Sequence, residues 1–339
     1  MQTADPALSP PRPRPSDAPD PVSRRWHRPL VVTAVGMFAL VLVSAFGLLF
    51  DDRTILGESV WLKTLKFGFS FGAYLLTLAW LIAHLTRARR FGWLTGTLFA
   101  AISAVEVGVI ALAAALGTFS HFNTSTDPVN EVVQAVFKYG IPVMFVVNVA
   151  MAVMVLFQRI GDRSVTTTVR WGLLMSTLGM VAAVFIVSVG GQGDRTLVDA
   201  NGRSVELNAG HGVGDLDGHG MFLTNWSLTG GDMRVSHFVG LHGIQVFIAA
   251  AIVLVALAGR YAWLRDERVR AGLIRWFAIG YLGVFLTVAW QAVRGQSVAA
   301  PDGVTLAALA ASFAIAFVGI AVTTRRAWTT PDGRRSASV

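Results

Sequence analysis

The sequence predicts an all-α membrane protein, a bundle of about eight transmembrane helices with a long extracytoplasmic loop that contains a small β-hairpin. Of its 339 residues, 54% are hydrophobic and only 14% are charged, whereas soluble domains carry roughly a quarter charged residues. The apolar residues also form blocks of about 20, the length of helix that crosses ~30 Å of hydrocarbon. A transmembrane barrel would instead alternate polar and apolar residues.

The apolar blocks number eight, and each is expected to be helical because lipid offers no water to an unpaired backbone. They lie near residues 30–50, 67–85, 92–117, 132–157, 170–190, 238–258, 273–293 and 304–324. Together they predict a membrane domain over residues 29–325. Residues 1–28 contain seven of the twelve prolines and predict a disordered tail. Residues 326–339 predict a second, short basic tail.

The basic residues predict the orientation of the bundle. With the N-terminus inside, the cytoplasmic segments hold 19 of the 28 Lys and Arg residues, and the four outer segments hold seven. This alternation follows the positive-inside rule, so both termini are expected in the cytoplasm, with a bacterial inner membrane as the location. The net charge of +8 then implies no nucleic acid, because arginines beside the spans hold helix ends against the lipid bilayer.

The outer segments between the blocks carry local structural signals. Residues 51–66 are amphipathic and predict a segment that lies along the membrane interface. The pair Asp127-Pro128 is suited to starting the next helix. Two alternating runs flank Asn201-Gly202 and predict a β-hairpin. This hairpin belongs to a loop over 191–237, which is long enough to form a folded cap on the bundle.

Lysines and histidines concentrate on the predicted outer side. The three lysines are Lys63, Lys66 and Lys138, and five of the seven histidines are His121, His211, His219, His237 and His242. Lys63 and Lys66 fit a local role for an ammonium group, although lysines also snorkel at helix ends without further function. Lys138 lies roughly 10 Å below the outer surface by helix rise. It is expected to face the bundle interior beside a partner.

His242 is the histidine best suited to an internal role. It lies about a turn and a half deeper than His237 and shares a helical face with Gln245. His121 ends the third block and could oppose His242, so the two predict a metal or haem site in outline. Simple hydrogen bonding at helix ends is the alternative. Cysteine is absent, which leaves haem or a divalent metal bound through histidine as the cofactors that this pattern allows.

Two further groups of titratable residues admit two interpretations each. The glycine-rich run around His211 and His219 also holds Asp215 and Asp217, which could coordinate a divalent cation. Its spacing matches no tight motif, which favours a flexible loop. Glu106 is the only acidic residue in the middle of a block. It predicts a proton relay or, equally, a protonated carboxyl that is hydrogen-bonded between helices.

The remaining polar residues at the outer block ends suit an anionic ligand, because guanidinium, ammonium and amide groups all donate hydrogen bonds. Arg234 precedes the sixth block, and Arg294 follows the seventh. The candidate ligand-binding residues are therefore Lys63, Lys66, His121, Asn123, Lys138, Gln192, Arg234, His237, His242, Gln245 and Arg294.

Three segments carry a resemblance to known sequences. They read WLKTLKF at 61–67, SHFN at 120–123 and NWSLTGGDMRVSHFVGLHGIQ at 225–245. In these segments the chain resembles an uncharacterised family of bacterial, actinobacterial-type polytopic membrane proteins. The resemblance implies a shared site on the outer face and implies no particular activity.

Three hypotheses for function follow. The first is the binding or transport of a small anionic or amphiphilic molecule through a polar pocket on the extracytoplasmic face. The second is a membrane oxidoreductase that holds haem or metal through His121 and His242. The third is an accessory subunit of a larger membrane complex.

Overall fold

The computed structural model describes residues 25–188, 192–217 and 219–329. Within these residues the chain forms nine α-helices and three two-stranded antiparallel sheets. The sheets are short, so the predicted all-α class with a small hairpin is confirmed. Most of the two predicted tails, residues 1–24 and 330–339, lies outside the described residues.

The helices are joined by short turns at one end of the bundle and by longer, partly stranded segments at the other. They are α1 (Arg28–Phe50), α2 (Val60–Ala83), α3 (Arg89–Leu116), α4 (Pro128–Leu156), α5 (Arg163–Ser188), α6 (Met233–Leu241), α7 (Gly243–Ala258), α8 (Glu267–Val293) and α9 (Gly303–Thr329). The strands are β1 (Thr54–Ile55), β2 (Glu58–Ser59), β3 (Gln192–Val198), β4 (Ser204–Ala209), β5 (Gly212–Val213) and β6 (Gly231–Asp232). We call the end that carries the strands the cap end.

The described residues contain seven or eight candidate membrane spans, in line with the about eight that the sequence predicts. Seven helices are each long and apolar enough to cross a membrane, and α6 and α7, which are bent by 42° relative to each other, give an eighth when the pair is counted as one span. The block predicted over 238–258 is therefore helical but divided between two helices. His242 adopts φ −84° and ψ 0° between the two helices, which interrupts the regular helical ladder.

Helix α2 begins earlier than its apolar block indicates. The Ser59 hydroxyl accepts a hydrogen bond from the Trp61 N–H at 3.3 Å and so caps the helix. The predicted interfacial segment over 51–66 is consequently wrong in its second half. Lys63 and Lys66 lie instead on the first two turns of a membrane-spanning helix.

The ends of α3 and α4 position the loop that carries His121. Gly117 has φ +67° and ends α3, because a left-handed residue closes the last helical turn and glycine adopts this conformation without strain. The predicted start of α4 is confirmed. The Asp127 carboxylate accepts the Asn130 N–H at 3.0 Å, and Pro128 stands in the first turn.

The predicted hairpin around Asn201-Gly202 is confirmed as β3 and β4. It docks on the end of α3, because the Asn201 side-chain amide donates to the Leu116 carbonyl at 2.8 Å. The Thr124 N–H donates to the Glu206 carbonyl at 2.8 Å, so the loop between α3 and α4 adds to the hairpin edge. The hairpin is therefore held on the bundle by hydrogen bonds to the end of α3 and to the loop between α3 and α4.

Helix α5 occupies the centre of the bundle and contacts α4, α6, α7 and α8. Helices α1 and α2 pack together on one side, and α8 and α9 pack together on the other. Most of the α9 surface faces outward, as expected for a helix bordered by lipid. The interior is apolar, with side chains that are at most 2% exposed at Leu75, Leu78, Met151, Leu173, Ile244 and Phe247.

Glycines bring α5 and α6 into backbone contact. A Cβ atom at Gly179 would overlap the backbone of Gly240 and Leu241, and a Cβ atom at Gly240 would overlap the backbone of Gly179. Small residues at such crossings let helices approach closely, which gains dispersion energy where lipid removes the hydrophobic driving force. The approach also lets the His237 Nδ1–H donate to the Gly179 carbonyl at 2.8 Å.

Replacing Gly179 with alanine should destabilise the bundle. The added methyl group would meet backbone atoms of α6, which cannot rotate away as a side chain can, so the helices must separate. Overpacking of this kind costs about 1–3 kcal/mol. Thermal unfolding of the purified protein in detergent should show a lower midpoint. Gly108→Ala is the matched control, since a Cβ at Gly108 has no neighbour within 4 Å; equal midpoints for the two variants would contradict the expectation.

Candidate functional site

Charged and imidazole side chains gather at the cap end, between the helices and the cap. Helix α2 supplies two lysines, α6 supplies an arginine and a histidine, and the strands and loops supply the others. We call this set the cap-end cluster, and it consists of Glu58, Lys63, Lys66, His121, His211, Asn225, Asp232, Arg234 and His237. The sequence predicted five of these residues as ligand-binding, and the structure brings those five together.

Lys63 is partly buried and forms only neutral contacts. Its Nζ donates to the Ser120 hydroxyl at 2.7 Å and lies 3.0 Å from His121 Nδ1. Seven ion pairs join described side chains, and none of them includes Lys63. An ammonium group has three N–H donors, so one donor remains available after these two contacts.

Lys66 and Arg234 are linked to each other through the Glu58 carboxylate and Asn225. Lys66 Nζ lies 3.2 Å from the Glu58 carboxylate, which also accepts a 2.6 Å hydrogen bond from the Asn225 amide. The Arg234 guanidinium donates to the Asn225 carbonyl. This chain of contacts ties α2, the loop before β6 and the start of α6 into one network.

The Asp232 carboxylate anchors this network at the start of α6. Its side chain is fully buried and accepts hydrogen bonds from the Arg234 guanidinium at 2.7 Å and from the Ser227 N–H at 2.9 Å. It also caps α6 by accepting the Arg234 N–H at 2.9 Å. Several charge-assisted donors compensate for the burial of a carboxylate, whereas a lone one would be expensive.

His121 is held as a neutral imidazole with a defined tautomer. Because Lys63 donates to Nδ1, the ring proton is assigned to Nε2. The ring stacks on Phe137 with centroids 4.1 Å apart and lies near Phe67 at 6.3 Å. Burial in these surroundings lowers the pKa of His121 well below its usual 6.5, and the positive charge of Lys63 lowers it further.

His211 and His237 complete the imidazole group. Burial lowers the pKa of His211 well below 6.5, with smaller contributions from the nearby charges of Arg234 and Lys63. Its Nδ1 is buried and has no hydrogen-bond partner in the described part of the chain. His237 donates through Nδ1 to α5, which leaves its Nε2 as an acceptor. The cluster therefore offers both donors and acceptors to a bound molecule.

His242 and Gln245 lie next to the cluster on the deeper side. The His242 ring lies 5.3 Å from that of Phe238. The His121 ring contacts other aromatic rings, so the two histidines of the predicted haem or metal pair have different aromatic neighbours. Gln245 Nε2 is 3.5 Å from the Thr77 hydroxyl, and its Oε1 is buried without a partner in the described structure. Within the described ranges, no three side chains of His, Asp or Glu lie close enough to hold a metal ion together.

Lys138 does not face the bundle interior, so that prediction is wrong. Its side chain is exposed, and its Nζ lies 5.5 Å from the centre of the Tyr139 ring. Val133 and Phe137 are buried and define the inner face of α4. Lys138 is rotated by about 100° around the helix axis from Phe137, so it lies off that inner face.

Arg294 is also not brought into contact with the cluster. Its guanidinium donates to Asp302 at 2.6 Å and lies 4.4 Å from the centre of the Trp290 ring. It therefore closes the connection between α8 and α9. His219 is exposed in the cap loop, and Asp215 and Asp217 accept hydrogen bonds from cap residues.

Two other predicted residues, Asn123 and Glu106, have surroundings separate from the cluster. Asn123 is buried and shapes its own loop, because its side-chain oxygen accepts the Ser125 N–H at 3.0 Å. The Gln192 side chain lies outside the described part of the structure. Glu106 is 4% exposed and packs against Gly140 of α4, and one of its carboxyl oxygens has no hydrogen-bond partner among the described groups.

Sequence reasoning missed a buried polar network near the middle of the bundle. The Tyr74 hydroxyl donates to the Asn148 side-chain oxygen at 2.5 Å and accepts from the Ser176 hydroxyl at 2.6 Å. All three side chains are at most 4% exposed, and they join α2, α4 and α5. Such uncharged residues are common within apolar blocks, so only the pairing of helices could reveal them.

Acidification should destabilise the protein through His121 and His211. An unfolded histidine titrates near pH 6.5, whereas both folded pKa values lie well below it. Between these values the unfolded chain binds more protons, so stability is full above pH 6.5 and falls as the pH drops toward the folded pKa. Each unit of pKa difference corresponds to about 1.4 kcal/mol.

Thermal unfolding midpoints between pH 7.5 and 5 would measure this effect. His121→Gln should flatten the dependence because an amide does not titrate. His219→Gln removes an exposed histidine and should leave the dependence unchanged. Identical acid sensitivity in wild type and His121→Gln would contradict the assigned protonation.

No family model, curated protein or solved structure matches the chain. The resemblance seen at 61–67, 120–123 and 225–245 therefore remains a prediction. The described helices indicate a multi-pass membrane protein, and its buried ionic groups meet at one end of a helical bundle.

Proposed function

We propose that the protein binds a small anionic or amphiphilic molecule at the cap-end cluster, as a first step of its sensing or transport. The observation that supports this most directly is the Lys63 ammonium, which is held by two neutral groups and lacks a carboxylate partner among the described residues. A cation that is partly withdrawn from water without a counter-charge is costly. A bound anion would supply the missing charge.

The balance of charges in the cluster favours an anion. Lys63, Lys66 and Arg234 supply three basic side chains, whereas Glu58 and Asp232 supply two carboxylates that are each already paired. The three imidazoles are assigned as neutral donors and acceptors. A carboxylate could accept from Lys63 and from the Nε2–H of His121 together, because one carboxylate oxygen pair accepts several hydrogen bonds.

The aromatic residues around His121 favour a carboxylate that carries an apolar body. Phe137 stacks on the imidazole, and Phe67 and Phe122 lie 6.3 and 6.1 Å from it. These rings border the polar groups on the side of α2 and α4. Medium-chain fatty acids combine both properties, and we take them as the preferred class.

The apolar core below the cluster favours access from the cap end. Leu75, Leu78 and Leu173 are at most 2% exposed and separate the cluster from the opposite end of the bundle. Transport across the membrane would therefore require this layer to open. The bend at His242 offers an element able to move for that purpose, as hinges commonly lie at helix interruptions.

Removing the Lys63 ammonium should weaken carboxylate binding. In titration calorimetry of the purified full-length protein with acetate and decanoate, Lys63→Gln should reduce affinity at least tenfold, which corresponds to about 1.4 kcal/mol. Decanoate should bind more tightly than acetate because its chain contacts the aromatic rings.

Arg260→Gln is the control, since it removes an exposed cation at the opposite end of the bundle, and it should bind both probes as wild type does. Lys63→Arg keeps the charge and should recover part of the affinity. Absence of binding in wild type, or equal loss in both Gln variants, would overturn the proposal.

The proposed orientation places the cap end outside the cytoplasm, in agreement with the distribution of basic residues. The chain has no cysteine, so labelling of a single introduced cysteine shows on which side of the membrane that residue lies. His219→Cys should react with a membrane-impermeant maleimide in intact spheroplasts. Arg260→Cys, at the opposite end, should react only after permeabilisation. The reverse pattern would place the cluster on the cytoplasmic side.

A further inference from the structure

A second candidate binding site lies on the outside of the bundle, beside the cap-end half of α4. It is an open groove of about 470 Å³ between α4, the loop that precedes it and the edge of β4. Side chains that line it include Asn130, Glu131, Gln134, Lys138, Tyr139 and Asn208. Binding sites for small molecules commonly have volumes of about 300–1,000 Å³. The groove contains no residue of the cap-end cluster.

The two charged residues in the groove are both exposed and unpaired. None of the seven ion pairs between described side chains includes Glu131 or Lys138. They are seven residues apart in the sequence. The groove thus presents a cation and an anion on one face of α4, about 10 Å apart along the helix axis.

An apolar stripe continues from the groove along the exposed surface of α4. Tyr139, Val143, Val146 and Val153 follow at helical spacing and are 65%, 39%, 63% and 50% exposed. In a membrane-spanning helix such residues face lipid chains. Tyrosine and lysine beside the groove are the residues that mark the level of lipid headgroups.

We propose that this groove binds one zwitterionic phospholipid with a primary ammonium headgroup, of the phosphatidylethanolamine class. The phosphate contacts Lys138, the ammonium donates hydrogen bonds to Glu131, and an acyl chain lies along the valine stripe. An anionic lipid would satisfy Lys138 alone and would be repelled by Glu131. A choline headgroup would have the charge but no N–H donor for the carboxylate.

Native mass spectrometry of the full-length protein in detergent would test the assignment. The protein is mixed with dioleoyl phosphatidylethanolamine, phosphatidylglycerol or phosphatidylcholine, and the fraction with one bound lipid is measured. Wild type should prefer the ethanolamine lipid over each of the others by at least fivefold. Free glycerophosphoethanolamine should compete poorly, because it lacks the chains that contact the stripe.

Variants of Glu131 and Lys138 test the contribution of each charge separately. Glu131→Gln should abolish the preference for ethanolamine over glycerol headgroups while lipid binding persists, and Lys138→Gln should weaken the binding of all three lipids. Lys138→Arg should retain the preference. Glu206→Gln removes an exposed acid of the cap outside the groove and should behave as wild type. Equal binding of the three lipids by wild type, or an unchanged preference in Glu131→Gln, would overturn the proposal.

Discussion

The structure depends on one buried carboxylate that must be compensated. Asp232 is enclosed at the cap end, and it is satisfied only if the Arg234 guanidinium, the first turn of α6 and the Ser227 backbone converge on it. In a low-dielectric interior, an uncompensated carboxylate costs several kcal/mol. The position of α6 and the path of the preceding loop are therefore coupled, because neither can shift without exposing this charge to apolar surroundings.

From that anchor the other polar contacts follow in sequence. Arg234 reaches the Asn225 carbonyl, the Asn225 amide reaches Glu58, and Glu58 pairs with Lys66 on α2. The loop before β6 is thus fastened to the first helical hairpin of the chain. Lys63 lies one turn away from Lys66 and is left with neutral partners, so the same network that satisfies four charges concentrates the unsatisfied charge at one position.

The sequence predicted the number of spans, the hairpin at Asn201-Gly202 and the gathering of lysine and histidine at one end, because these follow from hydrophobic block length, turn chemistry and chain direction. It could not predict which face of each helix points toward the protein interior and which points toward lipid. Lipid and protein core are both apolar, so the inner face of α4 is not marked by hydrophobicity, and Lys138 was assigned to the wrong side. The bend at His242 and the hydrogen bond between Tyr74 and Asn148 depend on neighbouring helices that no local pattern reports.

The peripheral position of α9 has a consequence for the order of assembly. Helix α9 packs mainly on α8, its neighbour in the chain, and small residues such as Gly280 and Gly283 receive its Ala316 and Ser312 side chains. Contacts between adjacent segments require only a short loop to close, which makes them fast to form. Helices α8 and α9 can therefore join as a pair within the bilayer as soon as both are synthesised, while α5 must wait for partners that precede it and partners that follow it in the chain.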